Sequence, residues 1–168
     1  MKFISFNHDN CEKFGIIENN LITDLTGKID GASSLKELIK IKKIKEAKEY
    51  AKSNPGSIKP DEIKYSPLIP NPGKIICVGL NYSEHVKETN RTVEENPVIF
   101  HRFPESQTAH MQAIQRPTVS ESLDFEGEMA VIMGEGGKHI KPEDALKHIV
   151  GFSCYNESTI REWQRHTR

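Results

Sequence analysis

Asp124-Phe125-Glu126-Gly127-Glu128-Met129-Ala130-Val131-Ile132-Met133 is the stretch on which the reading turns, because three acids lead directly into an apolar run. In an extended strand alternate side chains point to one side, roughly 6.5–7 Å apart along the chain. Glu126 and Glu128 therefore share a face, and Phe125, Met129, Val131 and Met133 take the other. Like carboxylates leading into a buried strand repel each other unless a proton or a cation stands between them. Gly127 removes the intervening side chain and lets a ligand or another backbone come close. Ligands that are all oxygen favour Mg²⁺ or Mn²⁺ over zinc, with Ca²⁺ a further hard-cation candidate. An acidic strand end in solvent fits the same residues, so this segment alone leaves both readings open.

Working outward, Leu123 to Met133 reads as the strongest strand of the chain, stopped by the turn Gly134-Glu135-Gly136-Gly137. That glycine cluster has no GKS/T or GxGxxG continuation and is not a phosphate cradle. Upstream, Lys74 to Val78 reads as a buried strand closed by Gly79, Tyr82 to Glu88 as one or two helical turns, and Pro97 to His101 as a second strand. Residues 102–118 read as loop. Downstream, Pro142 to His148 has proline and acids first and cations last, which predicts a short helix capped by Gly151. Phe152 to Tyr155 returns to strand, and Glu157 to Arg165 turns helical, with Trp163 in the core.

Three short apolar runs, Phe3 to Phe6, Phe14 to Ile17 and Leu21 to Leu25, are separated by polar breaks and predict a β-meander. Leu35, Leu38, Ile39, Ile41, Ile44, Ala47 and Tyr50 then recur at helical spacing, predicting one amphipathic helix whose lysines form a solvated face. Prolines and glycines concentrate between Ser53 and Gly73 and place a boundary near residue 70, dividing the chain into 1–70 and 71–168.

The bulk numbers narrow the function. In 168 residues, 23 basic and 24 acidic side chains leave a net charge of −1, which offers no field for a nucleic-acid backbone or an anionic membrane. Polar His8, Asp9 and Asn10 follow the first apolar run at once, so no secretory leader can be drawn and the expected location is cytoplasmic. Cys11, Cys77 and Cys154 lie far apart and form no CxxC, which argues against a disulfide framework and a thiolate zinc site.

Two further constellations bear on chemistry. In a helix His85 and Glu88 are i and i+3 neighbours, so the carboxylate can orient the imidazole as a general base; any charged helix also yields such pairs by chance. Glu157, after a short strand, can close a carboxylate cage with Glu126 and Glu128, although acids at a helix N-terminus are equally explained by the helix dipole.

Taken together, Lys74-Ile75-Ile76-Cys77-Val78-Gly79-Leu80-Asn81-Tyr82 with His85, Arg102-Phe103-Pro104 with Ser106, Asp124 to Glu128, and Gly151 to Gln164 resemble the fumarylacetoacetate hydrolase family. The match runs in order through residues 74–168, and residues 1–70 resemble that family's variable N-terminal domain more loosely. The resemblance implies an α+β, β-rich fold: a mixed β-sheet roll after a small domain of β-meander plus helix. It also implies Mg²⁺ or Mn²⁺ on Glu126, Glu128 and Glu157, a His85–Glu88 catalytic dyad, and substrate binding by Arg102 and Ser106. The family usually has aspartate where this chain has Glu157, one methylene longer.

The expected partners are a small 2-oxo or diketo acid and a second copy of the chain in a homodimer. Relatives continue through a second half of the sheet that supplies a lysine and a Gly-Pro loop, so the roll reads as truncated at residue 168. The activity implied first is metal-dependent hydrolysis of a carbon–carbon bond. Decarboxylation, isomerisation, hydration and an inactive remnant are the alternatives.

Overall fold

The structure, a computed structural model, describes residues 1–84, 96–164 and 166. Its first part follows the predicted meander. Strands β1 (Lys2–His8), β2 (Cys11–Glu18) and β3 (Leu21–Asp24) pair antiparallel, and a short β4 (Lys64–Tyr65) joins β1 to give the order β3-β2-β1-β4. Asp9, Asn10, Asn19 and Asn20 all take positive φ. These are the residue types that tolerate left-handed backbone in tight hairpins.

The single helix expected over 35–50 is two: α1 (Leu35–Lys40) and α2 (Ile44–Ser53). Lys42 between them has φ 59°, which no helix interior accommodates. Apolar spacing runs unbroken through the kink because Ile39, Ile41 and Ile44 all pack on the same core, which Phe14, Ile16, Leu25, Leu35, Leu38 and Ala47 build. Among the described residues every buried apolar side chain except Ala109 lies at or before Ala51.

The second part consists of antiparallel ribbons. Strand β5 (Ile75–Gly79) pairs with β6 (Val98–Arg102), and β8 (Gly127–Met133) pairs with β9 (Ile149–Asn156). The two-residue strands β7 (Leu123–Asp124) and β10 (Thr159–Ile160) pair with each other, and α3 (Arg161–Gln164) follows directly. Five expectations need correction: the helix expected from Glu157 starts only at Arg161, after β10. The strand 123–133 breaks at Phe125 and Glu126, and its two pieces pair with different partners. Residues 142–148 form a tight 3₁₀ turn, and Gly151 lies inside β9 rather than capping a helix. Strand β5 is not buried, since Ile76 and Val78 are 61% and 46% exposed. Trp163 is 54% exposed, not core.

Contacts tie the two parts together. The Gln107 and Gln112 side-chain amides donate to the carbonyls of Ile69 (3.3 Å) and Tyr65 (3.2 Å), and Lys42 pairs with Glu135 at 3.0 Å.

Candidate metal and substrate site

The break in the strand builds the site. At Glu126 the chain leaves the ladder: its N–H donates to the Asn156 side-chain oxygen (3.0 Å), and its carbonyl accepts from the Glu157 N–H (2.9 Å). These two bonds clasp Glu126 against Glu157. One residue later the ribbon resumes with Gly127 opposite Asn156 and Glu128 opposite Tyr155. Burial then alternates as a strand requires. Glu126, Glu128, Ala130 and Ile132 are half-buried, while Phe125, Met129, Val131 and Met133 face out. A Cβ at Gly127 would meet nothing within 4 Å and would point to the exposed face, away from the two carboxylates.

Each carboxylate has a partner. Glu126 Oε1 lies 3.1 Å from Arg161 Nη1, yet that oxygen is buried and has no hydrogen bond, so the contact is one of charge without donor alignment. Tyr82 senses Glu128, whose side chain holds the phenol above its ordinary pKa. Glu157, only 8% exposed, is paired with Arg102, whose Nε and Nη2 both reach Oε1 while Nη2 also donates to the Ser158 carbonyl at 2.8 Å. Burial pushes the Glu157 carboxyl up; Arg102 opposes this, and the charges of Glu126 and Glu128 add to it. The three acids therefore sense one another. Cys77 on β5 and Tyr155 on β9 are pushed up chiefly by burial and also sense Glu157. Thus β5–β6 and β8–β9 turn the same inner face to the acids.

Arg161, at the start of α3, was not singled out in the sequence. It donates through Nε to Asp124 (2.8 Å) while Nη1 faces Glu126. Nothing periodic announces a lone arginine four residues after an acid, and only the β7–β10 pairing of Thr159 with Asp124 brings it round. Of the other expected residues, Ser106 donates to the Phe103 carbonyl (2.8 Å) within its own turn. His85 and Glu88 lie outside the described residues. A shallow cleft lined by Glu135, Lys138, His139 and Lys147 shares no residue with the acids and has no part in their chemistry.

Among the described residues no group of three or more His, Cys, Asp or Glu side chains stands arranged to hold a metal ion. The donor chemistry still suits a hard dication: Glu126, Glu128 and Glu157 offer only oxygen, and one buried oxygen of Glu126 lacks a donor. Two guanidinium groups now supply the positive charge these acids need.

Fold, clasped acids and motif order converge on one class, and a family profile described as the fumarylacetoacetate (FAA) hydrolase C-terminal domain matches residues 74–168. The chain belongs to the fumarylacetoacetate hydrolase family. It is 38% identical over 118 residues to a mitochondrial oxaloacetate tautomerase of Xenopus laevis, covering 70% of this chain and 37% of that protein. A fumarylacetoacetate hydrolase from Exiguobacterium antarcticum superposes with TM-score 0.81 and 29% identity over 99% of this chain and 58% of its own. The fold, without closer kinship, is shared with a maleylpyruvate hydrolase from Sphingobium solved with manganese(II) and pyruvate (TM-score 0.77, 20% identity, 96% of this chain, 60% of that one). The chain spans about a third of the tautomerase and somewhat over half of the solved structures. Its relatives in the family include hydrolases, isomerases and tautomerases. No helix among the described residues is long and apolar enough to cross a membrane.

Proposed function

We infer that the chain contributes the acidic wall of an active site that enolises a small 2-oxo diacid, with oxaloacetate the first substrate to try. The observation that carries this is the clasp of Glu126 to Glu157, which holds two carboxylates beside two guanidinium groups. Glu126, Glu128 and Glu157 would hold Mg²⁺ or Mn²⁺, which supplies Lewis-acid polarisation of a 2-oxo group and its carboxylate.

The protein's own groups do the rest. Asp124 and Gln164 hold the Arg161 guanidinium through Nε and Nη1, and its Nη2 would suit a substrate carboxylate. The Tyr82 hydroxyl beside Glu128 would become a donor for a developing oxyanion once the Glu128 carboxylate turns to the ion. The relatives named oxaloacetate tautomerase support the substrate class. Arg102 and Ser106 remain candidates for substrate contact, and a homodimer and a cytoplasmic location remain expectations; the named animal tautomerases are mitochondrial.

A second reading, hydrolytic carbon–carbon cleavage, rests on His85 and Glu88, three and six residues along the chain from Tyr82. A single assay separates the two. Purified chain with Mn²⁺ or Mg²⁺ is offered enol oxaloacetate and an acylpyruvate, with a chelator control. Chelator-sensitive loss of the enol alone supports tautomerisation, and pyruvate release from the acylpyruvate supports hydrolysis. Turnover of neither substrate by the metal-loaded chain would overturn both and favour an inactive remnant.

A further inference from the structure

We propose that Arg102 is the resident counter-cation of the carboxylate site: it neutralises Glu157 until a divalent ion arrives, and its competition for that oxygen sets how tightly the ion is held. This rests on the reading that Glu126, Glu128 and Glu157 are the ion's ligands. Glu157 is the most buried of the three, and its backbone N–H is tied to the Glu126 carbonyl, which keeps the two residues side by side. A buried carboxylate beside other acids needs a positive partner.

Arg102 supplies it from the opposite ribbon. It is the last residue of β6, paired with Ile75, and it reaches across to β9 and the turn beyond. Two of its nitrogens converge on a single oxygen, Glu157 Oε1, and the second is also held by the Ser158 carbonyl. The guanidinium is three-quarters buried, so solvent screens its charge poorly. A dication entering the same site meets both a competitor for Oε1 and an unscreened like charge.

Arginine is suited to this role because its forked, permanently charged group cannot deprotonate to make way. Lysine keeps the charge but offers one donor group in place of two. Glutamine keeps a donor and removes the charge.

The test is calorimetric titration of Mn²⁺ into the 168-residue chain, wild type against Arg102→Gln and Arg102→Lys, at one near-neutral pH and ionic strength, with circular dichroism to confirm folding. Arg102→Gln is expected to bind Mn²⁺ about tenfold more tightly than wild type, and Arg102→Lys to fall between them. If Arg102→Gln fails to fold, Arg102→Lys decides by the same ordering. Binding equal to or weaker than wild type in either folded variant overturns the counter-cation role while leaving the metal site standing. No binding in wild type or variants removes the metal site itself, and the proposal with it. Binding in Arg102→Gln alone would support both.

Discussion

Asp24 and Glu157 are partly buried carboxylates that titrate in opposite directions. Burial alone would raise Asp24, but Lys13 at 2.9 Å and the Thr26 N–H at 2.8 Å outweigh it and hold the carboxyl below its ordinary range. A depressed acid contributes stability that is present above its unfolded pKa and lost as pH falls through the lower folded one. Asp24→Asn should therefore cost about 0.5–1 kcal/mol at neutral pH, the scale of a part-exposed pair, and flatten the acid limb of a stability–pH curve below about pH 4. An unchanged acid limb in urea melts would contradict this. At Glu157 the folded pKa is raised, so its contribution is full at low pH and declines as pH rises through the raised value. At Arg161 the prediction is kinetic: Arg161→Gln should raise KM for oxaloacetate about tenfold with a smaller effect on kcat, as steady-state assays would show. A fall in kcat with KM unchanged would move Arg161 from substrate binding to the chemical step.

Among the elements, β1 to β3 were legible because alternating apolar runs and Asn-rich breaks encode hairpins locally. The helix break at Lys42 was not, since propensity and spacing continue through it and only the core decides the bend. Residues Glu126 and Glu128 were legible as same-face acids. The break at Glu126 was not, because the groups that claim its backbone, Asn156 and Glu157, lie about 30 residues on. Arg161 went unread for the same reason of distance.

Two substitutions probe elements directly. Ser34 caps α1 by accepting from the Glu37 N–H, so Ser34→Ala should cost about 1 kcal/mol in thermal or urea melts. At Gly15 an added Cβ would stand 2.3 Å from the Thr23 carbonyl oxygen on the neighbouring strand. Gly15→Ala should cost about 2 kcal/mol or more, by forcing β2 from β3; a neutral result would mean that the strands yield freely.

At the scale of the whole molecule, packing and chemistry are segregated. The core closes around residues at or before Ala51, whereas the site sits between ribbons whose outer faces carry Ile76, Val78, Ile99, Met129, Val131, Met133 and Phe152 in the open. Exposed apolar faces of this kind are where a protein associates or aggregates. The folded chain should accordingly bind the dye ANS, and Val131→Thr with Phe152→Thr should reduce that fluorescence about twofold. Residues 1–70, proposed as a domain, should unfold cooperatively when made alone; a molten fragment would show that they need the ribbons.

The proposed ion would be held by Glu126, Glu128 and Glu157 acting as one anionic site. Calorimetric titration of Mn²⁺ into wild type and Glu126→Gln tests it most directly: wild type should bind one ion, and the variant should bind it about tenfold more weakly or not at all. Equal affinity in the two proteins would contradict it.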